Sequence, residues 1–203
     1  CAITDHRRYE PSVEAVKAFE GVRCGIHIHP GEEIHPPENP VHMVNFGGKF
    51  SINLLWQGES YLEDVRKIEE SLTDVPDDVN SYHYASCKYC ADKIREGGGV
   101  ALLAHPYWHC WHGYNVSVPL QNYLFEKGDF DCFEIVGGND EAEIGSNYRQ
   151  IALYDDQVAK GNKCVPVSVS DGHGCESGRL FGWYYTVIFA TGPDMPELAK
   201  GIR

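Results

Sequence analysis

Basic side chains are scarce in this sequence. Its 203 residues carry 17 Lys and Arg against 30 Asp and Glu, a formal charge of −13. Such a surface repels a phosphodiester backbone, so no stable nucleic-acid binding is expected, whereas bound divalent cations would offset part of the charge. Long apolar runs are missing too. None reaches the roughly 18 residues that a membrane span requires. No signal peptide is recognisable either, and a cytoplasmic protein without membrane attachment is expected. Cysteine occurs eight times but in no framework. Cys87 and Cys90 form a CxxC with no second pair at zinc-ribbon spacing, so reduced, structurally incidental thiols are expected. The oligomeric state leaves no trace in the composition. The length suits a single domain over 1–203 with one sizeable core.

Histidine and glutamate, by contrast, are concentrated. The stretch "GIHIHPGEEIHPPENPVH" at 25–42 holds four histidines and three glutamates. In a strand, alternation would place His27, His29, Glu33 and His35 on one side and Ile26, Ile28 and Ile34 on the other. Pro30 and Gly31 interrupt that ladder.

Strand and helix patterns alternate along the chain. "CAIT", "VRCGIHIH", "VHMVNF", "VALLAHP", "FDCFEIVGG", "KCVPVSVSDGHG" and "WYYTVIFA" read as strands. "PSVEAVKAFE" reads as a helix opened by Pro11, and "YLEDVRKIEESL" as one with Leu62, Val65, Ile68 and Leu72 on a stripe. "SYHYASCKYCADKIREGGG" is a helix stopped by glycines, and "PLQNYLFEKG", "NYRQIALYDDQVAKG" and "DMPELAKGIR" are further helices. Alternation of this kind predicts a parallel α/β fold. The region 51–93 is the longest connection and is expected to be an insertion over one face.

The polar residues share an address. Asp5-His6, Glu32-Glu33, His105, Glu134 and Asp171-x-His173 each stand at or just after the end of an apolar strand, and parallel strands put those ends on one face. Singly, each has an ordinary reading, as a helix cap or a packed histidine. Jointly they form the nitrogen and oxygen donor set of a metal centre.

"ITDH", "PGEEI", "VHMVNFG", "LLAHP" and "VSDGH", in this order, resemble the polymerase and histidinol phosphatase (PHP) family, in its metal-dependent phosphoesterase branch. The resemblance implies a distorted seven-stranded (β/α) barrel with up to three divalent ions, Zn, Mn or Fe, at its mouth. It implies His6, Glu33, His42, His105, Asp171 and His173 as metal ligands, with Asp5 beside them. His27, His29 and His35 match no family ligand. The family's first strand and its H-x-H pair find no counterpart in the sequence from Cys1 onward, so that motif is expected to be missing. One ion would keep its whole set, Glu33, His42 and His105. The sets of the others, Glu33 with Asp171 and His6 with His173, would be incomplete, so at most one ion is expected to bind tightly.

The activity implied is hydrolysis of a small phosphorylated metabolite or nucleotide. Bound ions would generate the nucleophile, Asp171 or His173 would manage the proton, and Arg7, Arg8 or Arg179 would grip the phosphate. Tyr107 and Trp108 follow the His-Pro motif and would wall the pocket. Two other readings stand: a catalytically impaired binding or regulatory module, and a metal-dependent hydrolase of esters or amides.

Overall fold

The computed structural model describes residues 1–58, 60–110, 113–114, 116–138, 141–174, 176 and 181–203. In chain order the elements are α1 (Glu10–Ala18), β1 (Gly31–Ile34), β2 (Met43–Phe46), α2 (Ser60–Ser71), α3 (Ser81–Glu96), β3 (Val100–Leu103), β4 (His109–Cys110), β5 (Gly113–Tyr114), α4 (Val118–Lys127), β6 (Cys132–Val136), α5 (Glu141–Ala159), β7 (Val165–Ser168) and α6 (Met195–Ile202). Local chemistry sets several boundaries. Asn80 caps α3 by accepting from the His83 amide at 3.0 Å. Ser117 does the same for α4 toward Leu120, and Gly128 closes that helix in the left-handed conformation at φ 64.

Five strands form one mixed sheet in the order β1-β2-β3-β6-β7, and β4 pairs with β5 alone. The order is linear, and its two ends are not joined among the described residues. The all-parallel arrangement that alternation implies holds only for β3, β6 and β7, while β1–β2 and β2–β3 are antiparallel. The connection at 35–42 is short enough for a direct return, which a parallel crossover does not allow. Beyond β1, the segment from Cys1 to His6 lies parallel to it through isolated bridges, Ala2 to His29 and His6 to Glu33.

Three predicted strands form no ladder; "CAIT" contributes only the bridge at Ala2. "VRCGIHIH" contributes only the bridge at His29, and "WYYTVIFA" forms no ladder. In the latter the Thr186 hydroxyl accepts from the Ser168 amide at 2.8 Å and donates to its carbonyl at 2.9 Å. A side chain thereby takes both backbone groups a neighbouring strand would need. The stripe on α2 is also displaced: Tyr61 and Val65 are buried while Leu62 is 67 % exposed.

The sheet separates two apolar clusters. Ile34, Met43, Ala101, Leu103 and Phe133 face α3 and α4, whose Tyr84, Cys87, Cys90, Leu120 and Leu124 complete the larger core. Residues 51–93 thus supply one helix of that core as well as α2. Val100, Leu102, Cys132 and Val167 face the other way and pack against Ala199 and Ile202 of α6. No helix of the described residues is long and apolar enough to cross a membrane.

Asp131 ties the C-terminus to the sheet. Its carboxylate accepts from the Ala101 amide at 2.8 Å, from Arg95 Nε at 3.1 Å and from Arg203 Nε at 2.9 Å. Burial opposes its ionisation, but Arg203, the Ala101 amide and Arg95 outweigh it and hold the carboxyl below its ordinary value. Its contribution to stability is therefore present above the unfolded-state pKa and lost as pH falls through the lower folded one. Asp131→Ala is expected to cost about 2–3 kcal/mol at neutral pH. In urea titrations the gap between variant and parent should close on acidification; a gap independent of pH would contradict this account.

Candidate metal centre

Strand direction decides where the polar residues go. Relative to β1, β2 runs backward and β3 forward again, and β6 and β7 follow β3. The C-terminal ends of β1, β3, β6 and β7 therefore meet the N-terminal end of β2. His35, His105, Asp171 and His173 follow the first, second and fourth of those C-terminal ends, and His42 sits just before β2. The parallel bridge of His6 to Glu33 brings the N-terminal segment to the same end. Pairing of Ile34 with Met43 and Met43 with Leu103 fixes the register, and the Ala104 amide donates to the His42 carbonyl at 3.1 Å.

Glu33 is the hub. Its Oε1 lies 2.9 Å from His42 Nδ1, 3.3 Å from His35 Nε2 and 3.6 Å from His105 Nε2, and its Oε2 lies 3.0 Å from His6 Nδ1. His6 Nδ1 and His35 Nε2 are themselves 2.9 Å apart. Nitrogen and oxygen ligands about 2.1 Å from one ion stand roughly 3.0–3.4 Å from one another, and the observed separations bracket that spacing. Despite those neighbours, Glu33 Oε1 is buried without one well-aligned hydrogen-bond donor. Nitrogen and oxygen donors crowded around one carboxylate in this way are arranged as ligands that could converge on a shared point. Two such groups exist among the described residues, Glu33 with His42 and His105, and Glu33 with His6 and His35.

The surroundings demand positive charge. Burial works against the Glu33 carboxylate, yet His105, His35, His42 and His6 overcome it and hold its pKa far below the usual range. For His105 burial is again the largest influence and lowers the pKa, but Glu134, Glu33 and Asp171 raise it to about 9. Glu134 is buried, which lifts its carboxyl to about 7; its Oε2 accepts from the His105 amide at 3.1 Å. The hydrogen bond to Glu33 raises His6 against the effect of burial, whereas burial keeps His42 low.

An ion held by Glu33, His42 and His105 would have to displace the proton on His105. Below about pH 9 the protonated form of His105 dominates, so affinity should climb with pH by about tenfold per unit until that proton is gone. Calorimetric titration with Mn²⁺ at several pH values checks this; an affinity flat from neutrality to pH 9 would place the ion elsewhere.

Asp171 and His173 reach the cluster from β7. Asp171 lines a cavity of about 10 Å³, room for one water, with His105, Trp108, Glu134 and Gln150. The His173 ring centroid is 6.1 Å from that of His6, and its Nδ1 is 2.7 Å from the Asp171 carbonyl oxygen. Trp108 stands over His42 and His105 with centroids at 5.9 and 6.2 Å. Asp5 participates through its backbone, whose carbonyl accepts from the Glu33 amide at 3.1 Å, and its side chain is exposed. Tyr107 packs against the larger core. Arg7 is exposed beside His35, and Arg179 lies outside the described residues. His29 stands two residues before β1 with its ring 5.8 Å from Phe46, away from the cluster.

Two members were not singled out as ligands from the sequence, His35 and Glu134. Alternation did group His35 with Glu33, and Glu134 did stand at a strand end. Strain also marks the place. Arg7, Glu38 and Asp171 are the non-glycine residues with positive φ among the described residues, at 58°, 55° and 43°, and all three lie at or beside the cluster.

The fold has a solved counterpart. A crystal structure of a "putative metal-dependent phosphoesterase" from Bifidobacterium adolescentis aligns with a TM-score of 0.54 at 15 % identity, covering 91 % of this chain and 81 % of that one. That identity speaks for a shared fold alone. No protein-family model and no curated protein matches the chain.

Proposed function

We propose that this chain is a metal-dependent phosphoesterase of the PHP type, acting on a small phosphorylated molecule. The observation that supports this most is the sharing of one carboxylate: Glu33 belongs to both three-residue groups, so two neighbouring ions could be held, an arrangement that stabilises both the attacking and the leaving oxygen of an in-line displacement. Histidine and carboxylate donors suit Zn²⁺, Mn²⁺ or Fe²⁺. His42 and His105 would hold one ion with Glu33, and His6 and His35 the other. His35 thereby completes a set that the resemblance leaves short.

Bound ions supply Lewis acidity, which activates water and polarises the phosphoryl group. The remaining work falls to the chain. Asp171, beside the water-sized cavity, takes a proton from the attacking water, and His173 delivers one to the leaving oxygen. Arg7 binds the phosphoryl oxygens through its paired N–H groups. Trp108 roofs His42 and His105 and keeps bulk water from that side. Glu134 fixes His105 through its backbone amide.

Phosphate release from a panel of phosphomonoesters, measured before and after chelation, tests the reading. Activity is expected with Mn²⁺, Zn²⁺ or Fe²⁺, to disappear with chelator and to return on readdition. Hydrolysis unaffected by metal removal, or no release with any of the three ions, would sink it.

A further inference from the structure

We infer that a groove beside the metal cluster takes the organic part of the phosphoester, and that this part is a flat, apolar ring system. The inference rests on the phosphoesterase reading for the phosphoryl end only. The groove encloses about 710 Å³ and is lined by Arg7, His35, Pro36, Pro37, Trp56 and His83 among others, a size typical of small-molecule sites. It begins at the cluster itself, because His35 is both one wall of the groove and 3.3 Å from Glu33. A phosphoryl group held between Arg7 and the ions would therefore point its ester oxygen into this space.

Farther along, the walls are proline rings and the half-buried indole of Trp56, which is braced edge-on by Tyr61 at 5.6 Å. The flat faces of Trp56 and the prolines suit a planar ring, while Glu38, Asn39 and His83 leave polar groups at its edge. Glu38 is the single acidic residue lining the groove, with the Arg7 guanidinium to balance it, so an anionic ester meets no net repulsion there despite the chain's charge of −13.

The groove is built to be rigid. Tyr82 Oη donates to the Pro37 carbonyl at 2.8 Å, Asn39 Nδ2 donates to the His83 carbonyl at 2.8 Å and to Ser86 Oγ at 2.7 Å, and His83 Nε2 lies 3.0 Å from the Glu38 carbonyl. Arg7 and Glu38, on its rim, hold left-handed backbone at φ 58 and 55, a conformation such residues leave unless held. The Arg7 amide is held by the Glu33 carbonyl at 2.9 Å. A wall shaped in advance loses little freedom when a ligand arrives.

Benzylphosphonate and ethylphosphonate share an anionic head and differ by a ring, and neither can be hydrolysed. In calorimetry on the full chain loaded with Mn²⁺, the benzyl compound is expected to bind at least about tenfold tighter, as burial of a phenyl ring provides. Trp56→Leu should remove most of that preference and leave ethylphosphonate affinity unchanged. Equal affinities in the parent protein, a comparison that depends on no variant folding, would overturn the assignment; so would a variant that weakens both ligands alike. Hydrolysis of benzyl and ethyl phosphate separates the two readings. A lower KM for the benzyl ester at equal kcat supports both. Phosphonate discrimination without phosphate release from either ester supports the groove and overturns the phosphoesterase.

Discussion

Glu33→Gln is expected to lower Mn²⁺ affinity by more than about a hundredfold and to take phosphate release to background. Loss of a residue that merely supports a ligand typically costs 10–100-fold, and Glu33 belongs to both candidate ligand groups at once. Glutamine keeps the volume, so the packing of β1 survives. What disappears is the negative charge facing four histidines, and one oxygen becomes an amide that donates where an acceptor is needed. Metal analysis after dialysis, beside a thermal melt confirming the fold, is the measurement. Retention of two ions per chain would show that the histidines alone suffice. His35→Ala should behave differently, removing one ion and sparing the group of Glu33, His42 and His105.

Glu32→Ala should be the most destabilising single change of those considered, at about 3–5 kcal/mol. Glu32 is fully buried on the face of β1 opposite Glu33. It accepts from Ser51 Oγ at 2.8 Å, the Ile52 amide at 2.5 Å, Asn53 Nδ2 at 2.8 Å and Asn45 Nδ2 at 3.2 Å. Removing the acceptor leaves several buried donors unpaired, each costing about 1–3 kcal/mol when no water can replace it. Glu32→Gln, which keeps one acceptor oxygen, should cost clearly less. The damage would also reach the cluster, because Asn53 Nδ2 donates to the Glu33 carbonyl at 3.0 Å and its Oδ1 accepts weakly from the His35 amide at 3.4 Å. Urea denaturation gives the stability and calorimetry the metal affinity. A Glu32→Ala chain as stable as the parent would mean that the loop at 51–53 is held by something else.

Most elements were legible because their signals are local. The helices at α1, α3, α4, α5 and α6 announced themselves through periodicity, caps and terminal glycines, and the cluster through polar residues at the ends of apolar runs. Strand direction was not legible. Nothing in "VHMVNF" encodes that it runs against its neighbours, since alternation reads the same both ways. His42 precedes its strand, so it was missing from the residues grouped at strand ends, and only the resemblance named it. His35 was grouped with Glu33 by alternation, but Pro30 and Gly31 interrupt that ladder, and the resemblance gave it no role. "WYYTVIFA" has the periodicity of a strand, and Phe181, Trp183, Tyr185, Val187 and Phe189 are indeed exposed at every second position. The hydroxyl of Thr186 that keeps it from pairing cannot be foreseen from spacing.

The pairing of Glu33 with Val44 has a consequence for how the chain finds its fold. β1 and β2 are only four residues each, so a one-residue slip between them would cost few backbone hydrogen bonds. Such a slip would turn the residues of β2 over and carry His42 away from Glu33. The ligand set of the cluster can close only in the native alignment, and whatever free energy metal binding supplies goes to that alignment alone. A divalent ion would then act on the hairpin as a proofreader of register, rescuing molecules that had paired one residue out.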